Sequence, residues 1–110
     1  MEVTFDDADL AKLVQNVREL QRKLGAVRAQ KIQRRLRQLA AAESLDVLRS
    51  APGRCHELVG DRSGQLSLDL DHPYRLLFRP VGVLVHGPGG GLDWSAVRAV
   101  AVIGVVDTHQ

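Results

Sequence analysis

A few side chains have the types and spacing to act on a phosphate. From Tyr74 to Arg79 the pattern alternates as in a strand, so Tyr74, Leu76 and Phe78 point one way and Arg75, Leu77 and Arg79 the other. The first set reads as core, which predicts two guanidinium groups on the solvent face. Arg62 lies in the turn Gly60-Asp61-Arg62-Ser63-Gly64, where it can lean over the same surface. In the last strand-like run Val100, Val102 and Val106 are expected on one face, with Asp107 and His109 on the opposite one. Arg62, Arg75, Arg79 and His109, with His56, form the candidate constellation. Arginines with a histidine suit phosphoryl chemistry on RNA. A 2′-hydroxyl loses a proton, attacks the adjacent phosphate and expels the next 5′-oxygen. Histidine titrates in the range for acid or base, and fixed arginines oppose the charge that grows on the phosphate. This scheme needs no metal and no cofactor.

Other chemistries fit less well. The histidines lack zinc-type spacing and Cys55 stands alone, so a metal site is not expected and Cys55 reads as a small buried hydrophobe. Gly60 to Gly64 is not a serine-hydrolase elbow. The Gly87 to Gly91 run has no following Lys-Ser/Thr and reads as a loop or hairpin tip. His72 and His86 read as surface residues.

The elements that must position these residues divide at Ala51-Pro52-Gly53. Before it the chain is helical. Glu2 to Phe5 reads as a short strand, and Asp6, Asp7 and Asp9 offer caps for a helix from Ala8 to Leu24, carried by Leu10, Leu13, Val14, Val17, Leu20 and Leu24. Gly25 ends it, and Val27, Ile32, Leu36 and Leu39 define a second helix to about Ala42. Ser44 is a candidate cap for a short turn carrying Leu45, Val47 and Leu48. After the breaker come strands: Arg54 to Val59, Leu66 to Leu70, Tyr74 to Arg79 and Ala99 to Val106. The fold class is therefore α+β. An N-terminal helical hairpin should cover one face of a mainly antiparallel sheet of about four to five strands, leaving the other face open.

Length and charge bound the function. A chain of 110 residues that is 45% hydrophobic fits one domain, 1–110, with no room for a separate cofactor domain. The net charge is only +2, but Arg18 to Arg37 carries +7. Arg28, Lys31, Arg34 and Arg35 belong to this stripe, which suits a polyanion or an acidic partner as well as a plain solvated face. One cysteine permits no internal disulfide and fits a reducing compartment. The first residues lack the pattern of a signal peptide, and no apolar run is long enough to span a membrane, so the expected location is cytoplasmic.

Three segments carry a resemblance to a known family. Pro52 to Leu68 (PGRCHELVGDRSGQLSL) resembles the H-x-L-K-G-D-R-x-G-x-W-S segment of HigB-like toxins in the RelE/ParE superfamily. Tyr74-Arg75-Leu76-Leu77-Phe78 resembles their W/Y-R-[IL]-x-F strand, and Asp107-Thr108-His109 their terminal D-Y-H. The blocks come in the family's order, and the helices ahead of them fit as well. The resemblance implies a RelE-like fold and a type II toxin that cuts messenger RNA at the ribosomal A site without a metal. It implies a cognate antitoxin, often a HigA-like helix-turn-helix protein, through which alone the toxin meets operator DNA. It assigns catalytic roles to His56, Arg62, Arg75, Asp107 and His109, with Arg75 on the scissile phosphate. Arg28, Lys31, Arg34, Arg35 and Arg79 would then contact RNA or ribosome. Thr108 stands where a tyrosine is usual, Leu66 where an aromatic is, and Val59 where a lysine is common. These departures keep two alternatives open: a ParE-like inhibitor of DNA gyrase, and a non-toxic member that only binds its antitoxin.

Overall fold

The computed structural model describes residues 1–84 and 86–107. Five strands form one sheet: β1 (Glu2–Phe5), β2 (His56–Glu57), β3 (Leu66–Asp69), β4 (Tyr74–Pro80) and β5 (Ala99–Asp107). Their order is β1-β5-β4-β3-β2. Every pairing is antiparallel except β1 with β5. Three helices, α1 (Ala8–Val14), α2 (Val17–Leu24) and α3 (Ala26–Ala41), precede β2. The α+β expectation therefore holds, with one helix more than a hairpin requires. Among the described residues no helix is long and apolar enough to cross a membrane.

The extra helix has a local cause. Residues 8–24 carry one apolar period, but Asn16 adopts an extended conformation (φ −126°, ψ 95°) and its Oδ1 accepts from the amide of Glu19. A side-chain acceptor competes well with the helical ladder at this position, so a second N-terminus forms inside the apolar pattern. Asp7 caps α1 in the same way, accepting from the amides of Asp9 and Leu10. Gly25, at φ 86°, makes the turn into α3.

One cluster of buried side chains joins helices and sheet. Leu20 from α2 and Ala29, Ile32 and Leu39 from α3 meet Leu66, Leu68, Leu76, Phe78, Val100 and Val102 from the strands. These strand residues have the parity that the alternation predicts. Leu45 and Leu48 close one end from a 3-10 turn, Leu45–Arg49, which follows Ser44 although the Ser44 side chain makes no capping bond. Trp94 is buried beside it; its indole N–H donates to Glu57 Oε2 at 3.0 Å and Arg49 stacks on its ring. The Gly87 to Gly91 segment is a tight turn, with the Gly87 amide bonded to the Gly91 carbonyl.

Two expectations about the strands are corrected. The run from Arg54 to Val59 is regular only at His56–Glu57. Arg54, at φ 49°, sits in the left-handed region and cannot extend a strand. The second correction concerns facing in β5. Leu77 pairs with Gly104 but Phe78 pairs with Val102, so Ile103 is an extra residue in the ladder. The bulge reverses parity beyond it. Val106 is opposite Arg75, away from the Val100 and Val102 face, and Asp107 is opposite Tyr74. A strict period of two, read through Ile103, assigns both to the wrong side.

Candidate functional site

The sheet face turned away from the helices carries Arg75, Leu77 and Arg79 on β4, Ser67 and Asp69 on β3, and His56 on β2. His56 is paired with Ser67, Ser67 with Leu77 and Leu77 with Gly104, so these four residues form one row across the sheet. Asp69, Arg75 and Val106 form the next row on the same face. The face is less open than alternation suggests, because Leu77 and Ser67 are both fully buried. Ser67 Oγ, beside His56, and Gln65 Oε1 are buried without a hydrogen-bond partner among the described residues.

His56 and Arg75 meet across these rows. His56 Nδ1 lies 2.8 Å from the carbonyl oxygen of Arg54. A carbonyl can only accept, so Nδ1 carries the hydrogen. In the neutral ring the lone pair is then on Nε2, which faces Arg75 Nη1 at 3.4 Å. Arg75 is held from behind, its Nε 3.4 Å from Asp69 Oδ1. Asp69 also takes a 2.6 Å bond from Arg54 Nε. This bond, and then the charge of Asp69, raises Arg54 above the ordinary arginine value. A proton acceptor and two guanidinium groups thus share one patch around a single carboxylate. A small cleft of about 60 Å³, lined by Arg54, Asp69, His72, Tyr74 and Arg75, opens beside it.

The remaining predicted residues lie elsewhere. Arg79 shares the face of Arg75 but stands four residues along β4, about 13 Å away at strand rise. Asp6 draws its guanidinium toward β1, accepting at 2.8 and 3.0 Å. Arg62 is exposed in the turn Gly60–Arg62, at the end of the β2–β3 hairpin remote from Asp69. Asp107 is exposed at the end of β5, on the Tyr74 side. His109 lies outside the described residues.

The basic stripe divides by partner. Arg28 pairs with Asp71 through two 3.1 Å bonds and lies 3.4 Å over the Tyr74 ring. Arg35 is buried; its Nε donates to the Asp69 carbonyl and its Nη1 to Gln38 Oε1, both at 2.7 Å. Burial lowers its pKa, with a further push from the charge of Arg34. Lys31 is half-buried and Arg34 exposed; neither pairs with a carboxylate among the described residues. Arg28 and Arg35 thus brace the fold and Arg22 pairs with Glu19, while Arg18, Lys23, Lys31, Arg34 and Arg37 make no ion pair among the described residues.

Sequence reasoning missed two members of the patch, Arg54 and Asp69. Asp69 looks like one more polar residue on the outer face of a strand. Arg54 looks like a strand residue, and nothing local marks its left-handed backbone except the preceding glycine. Cys55, which follows Arg54 in the chain, is partly buried against the core, and burial pushes its thiol up to about 12, which suits a hydrophobe and not a nucleophile.

No family model matches the sequence, and no curated protein matches it. Among solved structures, a YoeB/ParE toxin from Agrobacterium tumefaciens is similar at a TM-score of 0.61 and 16% identity, over 99% of this chain and all of that one. At that identity the likeness speaks for architecture: the chain has the fold of a YoeB/ParE toxin.

Proposed function

We propose that the chain is the toxin of a type II toxin–antitoxin pair and that it cleaves messenger RNA on the ribosome without a metal. The observation that carries this is the His56–Arg75 pair on the sheet face left free by the helices. The likeness to a toxin fold supports it, as does the order of the three sequence blocks. In this scheme His56 Nε2 accepts the proton of a 2′-hydroxyl. The oxygen attacks the neighbouring phosphorus, and the bond to the next 5′-oxygen breaks. His109 returns a proton to that oxygen, leaving a 2′,3′-cyclic phosphate and a 5′-hydroxyl. Arg75 opposes the charge on the phosphate oxygens. In the free protein Arg75 faces the lone pair of His56. A bound phosphate takes up the Arg75 terminal nitrogens where they stand, and Nε2 then passes from the guanidinium to the hydroxyl. Arg62 and Asp107 stand outside this patch, Arg62 at the far end of the β2–β3 hairpin and Asp107 on the Tyr74 side of β5, and the scheme gives them no step. Lys31 and Arg34, on the helix that Arg28 and Arg35 brace, and Arg79, on the opposite side of the sheet, contact the RNA or ribosomal backbone. The inhibitor is a cognate antitoxin of the HigA-like, helix-turn-helix kind, which alone brings the complex to operator DNA. The work is done in the cytoplasm.

The test is induction of the wild-type chain without antitoxin, with growth followed and mRNA 5′ ends mapped on ribosomes. Growth arrest with new 5′-hydroxyl ends is expected, and Arg75→Ala or His56→Ala should reduce cleavage by about 10²–10³-fold. Arrest with DNA-damage signalling and intact mRNA would instead select a gyrase inhibitor. Absence of arrest at any dose, with antitoxin binding retained, would select a non-toxic binding protein.

A further inference from the structure

We infer that Asp69 is the positioning residue of this site: it holds the Gly53–Arg54 turn that makes His56 an acceptor at Nε2, and it aligns the Arg75 guanidinium that His56 faces. The functional consequence rests on the proposed phosphoryl transfer; the geometry does not.

Asp69 is tied at every polar group it has. Its amide donates to the Gly53 carbonyl at 2.8 Å. Its carbonyl accepts from the buried Arg35 at 2.7 Å. Its carboxylate takes Arg54 Nε at 2.6 Å and faces Arg75 Nε at 3.4 Å. Arg54 also reaches the carboxylate through Nη2 at 3.5 Å and Arg75 Nη1 faces His56, so Arg54 Nη1 and Arg75 Nη2 remain to meet a phosphate. The pair of guanidinium groups is therefore pre-oriented before substrate arrives.

The backbone of Arg54 completes the device. A left-handed conformation costs a non-glycine residue about 1–2 kcal/mol and persists only where the surroundings over-determine it. Here Asp69 supplies that constraint on both sides of the peptide, through the Gly53 carbonyl and the Arg54 side chain. The turn aims the Arg54 carbonyl at His56 Nδ1, 2.8 Å away. Were residue 54 extended, that carbonyl would point elsewhere and the ring could take either tautomer. One carboxylate thereby couples the tautomer of the histidine to the placement of the arginine. Its engagement by two cations also argues against Asp69 serving as the base.

The test uses the full-length chain, labelled with ¹⁵N, as wild type, Asp69→Asn and Arg54→Gly. Asparagine keeps the amide, the carbonyl and the shape of residue 69, so it removes only the charge. Glycine at 54 keeps the carbonyl and favours the turn. NMR at pH 8.5, where histidine is ordinarily neutral, reads the His56 tautomer and the exchange of Arg75 Nε–H. Single-turnover cleavage on ribosomes is measured alongside across pH. Wild type should be protonated at Nδ1 with a slowly exchanging Arg75 Nε–H. Asp69→Asn should give mixed tautomers, fast exchange and a loss of about 10²-fold in the cleavage rate, with substrate affinity little changed. Arg54→Gly should keep the Nδ1 tautomer. Wild-type tautomer, exchange and rate in Asp69→Asn would overturn the inference, and so would an Nε2-protonated ring in the wild type. If the wild type cuts no RNA, the proposed function fails, and the NMR readings still decide the positioning role.

Discussion

Replacing Gly53 with alanine tests the packing beneath the site. A Cβ built at this glycine lies 3.0 Å from Arg35 Nε, 3.0 Å from Leu68 Cδ2 and 3.2 Å from Arg35 Cζ. Neither neighbour yields easily. Leu68 is fully buried in the core, and Arg35 is fixed by its bonds to Asp69 and Gln38. The backbone adds to the cost, because φ is +110° and lies beyond the left-handed basin that other residues tolerate. Overpacking costs about 1–3 kcal/mol and the positive φ at least about 1–2 kcal/mol. The sum of about 2–5 kcal/mol is a large share of the roughly 5–15 kcal/mol that stabilises an average domain. Gly60→Ala is the control: its φ is +69° and nothing lies within 4 Å of a Cβ there. Only the conformational part, about 1 kcal/mol, should be lost. Urea unfolding of both variants measures the difference directly. Gly53→Ala should lie at least about 1 kcal/mol below Gly60→Ala, with a melting temperature roughly 10–20 °C below wild type. Equal stability of the two variants would refute the close approach of Gly53, Arg35 and Leu68.

Three further outcomes follow from particular contacts. Arg28→Ala removes the pair with Asp71 and the stack on Tyr74, both about three-quarters shielded from solvent, and should cost about 1–3 kcal/mol in thermal or urea unfolding; Arg34→Ala, on the exposed face, should cost less than about 0.5 kcal/mol. The bond from Arg79, and then its charge, lowers the pKa of Asp6 below the usual 3.8. A lowered carboxylate pKa contributes stability above the unfolded value and loses it as pH falls through the folded one. Wild type should therefore exceed Asp6→Asn in stability above about pH 4, and the gap should close on further acidification; a gap unchanged at pH 2 would count against the pair. Cys55, with its thiol near 12 instead of 9.0, should carry about 10³-fold less thiolate at pH 8 than a free cysteine. Native protein should resist iodoacetamide under conditions that alkylate the urea-unfolded chain at once.

Much of this protein is legible along the chain, because local patterns act over a few residues. The 3.6-residue period of Ile32, Leu36 and Leu39 specifies α3, and the clean alternation of Leu66, Leu68 and Leu70 specifies the buried face of β3. Alternation through Tyr74-Arg75-Leu76 puts Arg75 on the far face, and that holds. His56 and Arg75 are recognisable from residue type and motif. Tertiary structure decided what alternation could not. The bulge at Ile103 depends on how β5 pairs with β4, and a one-residue slip moves Val106 and Asp107 to opposite faces. The arginines of the stripe are alike in sequence, yet distant carboxylates and carbonyls separate bracing Arg28 and Arg35 from exposed Arg34. Arg54, Asp69 and Arg75 converge from two strands and a turn, the first pair 15 positions apart in sequence. No local pattern encodes that meeting. It exists because the pairing of β2, β3 and β4 brings two guanidinium groups to one carboxylate, with the proposed proton acceptor beside them.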